Sequence, residues 1–136
     1  MHCVFYLDGN IKKISWVIQT EDSIFEQSRE HAEIYKDKIS NLQSKYIALH
    51  VGLFWGIGVF IIKNEDHIKI KLDDKEMFEQ LEDNAKIKDE FINNKIKFIN
   101  QLISQRKLKV EFEMNQQKNN PAKKVLDAKE LKTKNG

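Results

Sequence analysis

Apolar and polar positions along this chain form short alternating runs, interrupted by longer stretches with helical spacing. Cys3-Val4-Phe5-Tyr6-Leu7 is rich in β-formers and stops at Asp8-Gly9-Asn10, a turn signal. Ile14 to Ile18 reads as a second strand and Ser23 to Ser28 as a third. Strands this short need partners, so the series predicts an antiparallel meander. Asn41 to about Gly58 reads as a helix. Ala48, Gly52 and Gly56 recur four apart on it, and Tyr46, Leu49, Leu53 and Ile57 fill an adjoining apolar face. The small-residue stripe lets the helix backbone come close to a sheet or to a neighbouring helix.

His67-Ile68-Lys69-Ile70-Lys71-Leu72 alternates strictly, which predicts a strand with one buried face. Asp74 can cap a short helix from Lys75 to Leu81, with Met77, Phe78 and Leu81 at helical spacing. Phe91 to Ser104 is amphipathic, with Ile92, Ile96, Ile99 and Ile103 on one face and Lys95 and Lys97 outside. Leu108, Val110 and Phe112 alternate with Lys109, Glu111 and Glu113 as a fifth strand. A polar loop from Asn115 to Asn120 leads to Pro121, well suited to open a last helix.

The order is therefore three strands, helix, strand, one or two helices, strand, helix, an α/β arrangement without internal repeat. At 136 residues with 40% hydrophobic content the chain suits one ordinary core. We take residues 1–131 as a single domain and 132–136 as a Lys-rich tail. The net charge of +2 is too small to argue for a polyanionic partner. Its distribution says more: Arg106 to Gly136 carries nine Lys/Arg against four Asp/Glu, whereas the chain up to Asp66 is slightly acidic. A basic C-terminal third suits a polyanion, although a solvated Lys-rich face is the commoner reason for such a bias. The single Cys3 excludes an intrachain disulfide and fits a reducing, intracellular compartment. We expect no secretory signal, since the N-terminus lacks a basic segment followed by a long apolar run. Tyr46 to Ile62 is apolar but short and broken by glycines, so a buried helix is expected there and no membrane partner.

That order, with an Asp-Gly at the end of the first strand, resembles the ribonuclease H family, including its retroelement branch. Four local matches carry the resemblance across roughly Val4 to Leu131. Tyr6-Leu7-Asp8-Gly9-Asn10 looks like the family's first-strand motif, whose Asp is a metal ligand. Ser40 to Leu49 looks like the start of its first helix, where a catalytic Glu precedes an Ala-Leu pair. Ile68 to Asp74 looks like the strand that ends in its second catalytic Asp, and Asn120-Pro121-Ala122-Lys123 like the Asn-Pro-Ala-Asp that opens its last helix. The resemblance implies a five-stranded mixed sheet with helices on its faces, in the element order βββαβααβα. It also implies a cluster of acidic residues holding two Mg²⁺ or Mn²⁺ ions for phosphodiester cleavage.

Carried over by position, Asp8 and Asp73 keep the catalytic and metal-binding carboxylates, but the helix Glu falls on Lys45 and the final Asp on Lys123. These reversals move the site by about four units of charge, so an internally neutralised centre is expected. Neither neighbour of Lys45 is acidic, so a one-residue slip recovers no Glu. Asp74 is the candidate substitute carboxylate, with Glu65 and Asp66 as more distant ones. If the strand continues, Asp74 points to the opposite face from Asp73. The bland readings are a turn residue for Asp8 and a helix cap for Asp73 or Asp74. His2, His31, His50 and His67 show no zinc-ligand spacing, and Cys3 reads as buried rather than nucleophilic.

Three functions follow. The first is a non-cleaving module that binds an RNA/DNA hybrid, structured RNA or a protein partner, with Lys118, Asn120, Lys124 and Lys129 as nucleic-acid contacts and without cofactor. Lys132 and Lys134 extend that basic set. The second is an active ribonuclease H with a rearranged carboxylate set and Mg²⁺ or Mn²⁺. The third is a protein–protein or homodimerisation module packing on the Ala48, Gly52 and Gly56 stripe.

Overall fold

In the computed structural model, which describes residues 2–83 and 86–128, five strands form one mixed sheet. β1 (His2–Gly9), β2 (Lys13–Gln19) and β3 (Ile24–Glu30) are the expected antiparallel meander. After α1 (Asn41–Gly58), β4 (His67–Leu72) returns parallel to β1. Then α2 (Lys75–Glu82) and α3 (Glu90–Gln105) precede β5 (Lys109–Met114), parallel to β4. A 3₁₀ turn at Gln117–Asn119 leads into α4 (Pro121–Asp127). The strand order is β3-β2-β1-β4-β5, and the expected element order holds throughout.

The alternation of each strand decides its faces. Phe5, Leu7, Trp16 and Ile18 turn inward toward α1, together with Ile68, Ile70 and Leu72 of β4. Neighbouring residues point the other way. There Ser15 Oγ donates to the Ala122 carbonyl at 2.6 Å, which pins α4 to the opposite face of the sheet. The chain thus makes three layers, with α1 and α3 on one side and α4 on the other.

α1 starts where the sequence says it should. Ser40 Oγ accepts from Gln43 N, and the Gln43 side chain accepts from Ser40 N, a reciprocal capping box. The small-residue stripe faces the sheet. A Cβ at Gly52 would come within 2.5 Å of Phe5 Cζ, and one at Gly56 within 2.8 Å of the Ile62 side chain. The stripe is filled from within, by the close approach to the sheet that its small residues allow, and it leaves no surface there for the homodimer given as the third reading. Asp74 caps α2 through Met77 N at 3.0 Å, as its position predicts.

Lys95 departs from the outward position expected of it. It is half-buried, with Nζ 3.4 Å from His50 Nδ1 and 5.5 Å from the Phe91 ring centroid. Its apolar stem covers hydrophobic surface in the groove between α1 and α3, and burial lowers its pKa. Cys3 is buried, and burial pushes its thiol up to about 11, so it is not a nucleophile at neutral pH. None of the described helices is long and apolar enough to cross a membrane.

Candidate functional site

Parallel pairing of β1 and β4 brings their C-terminal ends side by side, with Tyr6 opposite Lys71 in register. Asp8 therefore lies near the end of one strand and Asp73 just past the end of the next. Asp8 is only 5% exposed, and its Oδ1 accepts from Gly9 N at 2.9 Å. A glycine is required after it because the start of α1 crosses there: a Cβ on Gly9 would come within 2.8 Å of the Ser44 backbone.

That close crossing delivers Lys45 into the site. Its side chain is nearly buried, and Nζ lies 2.9 Å from Asp73 Oδ1, 3.8 Å from Asp8 Oδ1 and 3.9 Å from Asp74 Oδ2. The two aspartates converge on the Lys45 ammonium, which stands between them. Asp74 does not turn to the other face, because the strand ends at Leu72. Its Oδ1 caps α2 while Oδ2 faces Lys45. Glu65 and Asp66 lie at the other end of β4, which at 3.3 Å per residue is about 20 Å away, so they cannot replace a missing carboxylate.

Lys123 corrects the expectation of internal neutrality. It walls the cleft with Asn10, Asn41 and Gln117, but its Nζ pairs with Asp127 at 3.2 Å, one turn along α4. Hydrogen bonding to Asp127 raises the Lys123 pKa, and Asp8 and Asp73 add smaller effects in the same direction. With every group ionised, three carboxylates surround the Lys45 ammonium, so the centre retains two negative charges. Burial raises the pKa of Asp8 against the opposing pull of the Gly9 N–H and Lys45.

Asn120 holds a place that sequence reasoning missed. It was expected as a surface contact for nucleic acid, yet it is 1% exposed. Nδ2 donates to the Leu7 carbonyl and to Asp73 Oδ2, both at 2.9 Å, and Oδ1 accepts from Ala122 N. One side chain thus caps α4, ties it to β1 and orients Asp73. Asn-Pro is a good cap signal, but nothing in the sequence says which carbonyl the amide will reach. His31 was equally hidden. It is buried, with Nε2 3.0 Å from the Asn10 carbonyl and 2.7 Å from Ser44 Oγ, and it ties the chain after β3 to the turn following Asp8.

Lys118 and Lys124 are exposed beside this cleft, around a hollow shared with Gln117 and Lys123. Lys129, Lys132, Lys134 and the 132–136 tail lie outside the described residues.

The donor set does not fit a pair of divalent ions. Among the described residues no group of three or more His, Cys, Asp or Glu side chains is arranged to hold a metal. The ammonium of Lys45 already stands between Asp8 and Asp73, where a bridging cation would have to sit.

No protein-family model and no curated protein matches the chain. Solved structures do. The ribonuclease H1 of the halophilic archaeon Halobacterium salinarum superposes at TM-score 0.71 with 17% identity, over 92% of each chain. The N-terminal ribonuclease H domain of a Mycobacterium tuberculosis protein gives 0.75 with 18% identity, over 93% of this chain and 95% of that one. A ribonuclease H1 isolated from compost, in complex with an RNA/DNA hybrid, gives 0.68 with 20% identity, over 87% and 88%. The fold is thus ribonuclease H-like over nine-tenths of the chain.

Proposed function

We propose that this chain is a ribonuclease H-like module that binds nucleic acid of hybrid or A-form geometry without cutting it, in a reducing intracellular compartment. One observation carries the reading: the Lys45 ammonium lies within 3.8 Å of both aspartates. Two-metal cleavage needs carboxylates with their lone pairs free for cations, and here both are engaged by a tethered one. Binding needs none of that chemistry. Backbone and 2′-OH contacts are made by basic and polar groups, and Lys118 and Lys124 stand exposed beside the cleft. A structurally similar ribonuclease H1 holds an RNA/DNA hybrid, which supports the same ligand class here.

The test is one substrate in two assays. Fluorescence anisotropy of a labelled RNA/DNA hybrid over a salt series should show affinity that falls as salt rises. The same hybrid, incubated with Mg²⁺ or Mn²⁺, should remain intact. Absence of binding at low salt sinks the proposal.

The residual charge of −2 favours a second reading, an active enzyme in which Asp8, Asp73 and Asp74 recruit Mg²⁺ or Mn²⁺ despite Lys45. It requires cleavage of the RNA strand that disappears in Asp8→Asn and in Asp73→Asn. Cleavage that survives either substitution rejects this assignment.

A further inference from the structure

Side chains at matched positions of neighbouring strands project from the same face of a sheet, side by side. β1 and β4 begin with such a pair, His2 opposite His67. Cys3 and Ile68, the next residues along, are buried toward α1, so both histidines stand on the other face. α4 is pinned near the far end of β1, where Ser15 lies across from Asp8. Both imidazoles are left exposed, over a shallow hollow that Val4, Lys69, Lys109 and Glu111 help to line.

The ring centroids are 4.6 Å apart and the planes are tilted by 38°. That is neither the near-parallel stack of His50 on Phe98, at 10°, nor an edge-to-face pair. It matches a shared ligand. A divalent ion about 2.0–2.1 Å from one nitrogen of each ring is about 3.2 Å from each centroid, and at this spacing it subtends about a right angle. Opening to a tetrahedral angle separates the rings by only about 0.6 Å more, within reach of two exposed side chains. Neither ring has a hydrogen-bond partner among the described residues, so the nitrogens are free to ligate.

The surroundings favour the unprotonated ligand. Desolvation, with the nearby His2 and Lys109, lowers the His67 pKa and keeps that ring neutral at pH 7. Lys109 lies in register beside His67 and would repel a cation, but its long stem carries the ammonium into water. Lys69 is held by Glu113 at 3.0 Å, while Glu111 makes no ion pair with any described residue.

We infer that His2 and His67 form a chelating site for a divalent ion of the zinc, nickel and copper class. Imidazole suits these borderline ions, whereas Mg²⁺ and Mn²⁺ prefer oxygen ligands. Two protein ligands leave the other positions to water, so the ion exchanges freely and is held only while it is supplied. The bound ion ties the start of β1 to the start of β4. Asp8 lies six residues along β1, about 20 Å away, and the inference is independent of what the chain binds at Lys45.

Isothermal titration calorimetry and thermal melts of the untagged full chain test it. At pH 7.5 both Zn²⁺ and Ni²⁺ should bind. At about a tenfold excess of free ion over its Kd the Tm should rise by about 5 °C. Mg²⁺ and Mn²⁺ at the same concentration should leave it unchanged. Binding should fade below about pH 6.5, as the rings take up protons. His2→Asn and His67→Asn alter exposed positions, so the metal-free Tm and far-UV circular dichroism should match the wild type. Zn²⁺ affinity should nevertheless fall at least about tenfold in each. A wild type that binds neither ion overturns the inference. So does full affinity in His67→Asn, which would put the metal on the N-terminus and His2. Full affinity in both variants overturns it too, since the ion would then sit on other groups such as His31 or His50.

Discussion

Asp8 shows how burial and chemistry pull one residue in opposite directions. Its carboxyl is held above the ordinary value of 3.8, chiefly by desolvation, so it binds a proton more readily folded than unfolded. As pH rises from 3.8 through its folded pKa, the ionised group lowers the stability of the folded chain, and the loss persists at neutral pH. Asp8→Asn keeps an acceptor for Gly9 N and leaves Lys45 paired with Asp73, so we expect a higher Tm at pH 7 and a shrinking difference toward pH 3. An unchanged or lower Tm at pH 7 would mean that attraction to Lys45, not burial, dominates. Lys45→Glu should make stability depend on metal. The substitution sets a fourth carboxylate against Asp8, Asp73 and Asp74, which is strongly unfavourable without a cation. Thermal melts should then rise with added Mn²⁺ in the variant and stay level in the wild type. The sequence showed Asp8, Asp73 and Lys45 because motif position alone assigns them. It concealed Asn120 and His31, whose partners are set by how α4 and the segment after β3 dock.

Along α1, residues of one type respond to opposite physics. Gly52→Ala improves intrinsic helix propensity by about 1 kcal/mol, yet the new methyl would meet Phe5 and Trp16 at 2.5 and 3.0 Å. Overpacking wins, and chemical denaturation should show a net loss of about 1–3 kcal/mol. Gly58→Ala meets nothing within 4 Å and should gain a few tenths of a kcal/mol, up to about 1. Equal effects at the two positions would contradict the placement of the stripe against the sheet. The helix itself was legible from its apolar spacing, which placed it from Asn41 to about Gly58, whereas the Ser40–Gln43 capping box emerged only from the structure. Its outer face was not legible. The small-residue stripe marked the side that packs closely, but apolar spacing gives no signal that Phe54 on the opposite side stays exposed.

For the molecule as a whole, element order was the most legible property, since strand alternation and caps fix each element locally. What the order could not supply was electrostatic balance. The pairing of Lys123 with Asp127 depends on the one-turn spacing within α4, and it leaves the cleft more acidic than the count of reversed residues implied. Recognition of a polyanion must therefore rest on the flank. Each phosphate contact contributes about one unit to the slope of log affinity against log salt. Lys118→Glu with Lys124→Glu should reduce that slope by about two and weaken hybrid binding uniformly across sequences. An unaltered slope would place the contact surface elsewhere.

The Lys45 ammonium also bears on what the protein needs from its surroundings. A dissolved ion partitions between competing ligands, and chelators or nucleotides draw it away. A cation on a side chain is present at a fixed high local concentration whatever the medium contains. We expect EDTA to leave the melting temperature unchanged and the cleft to keep its shape when divalent ions are scarce. A counter-ion of this kind cannot be dialysed out.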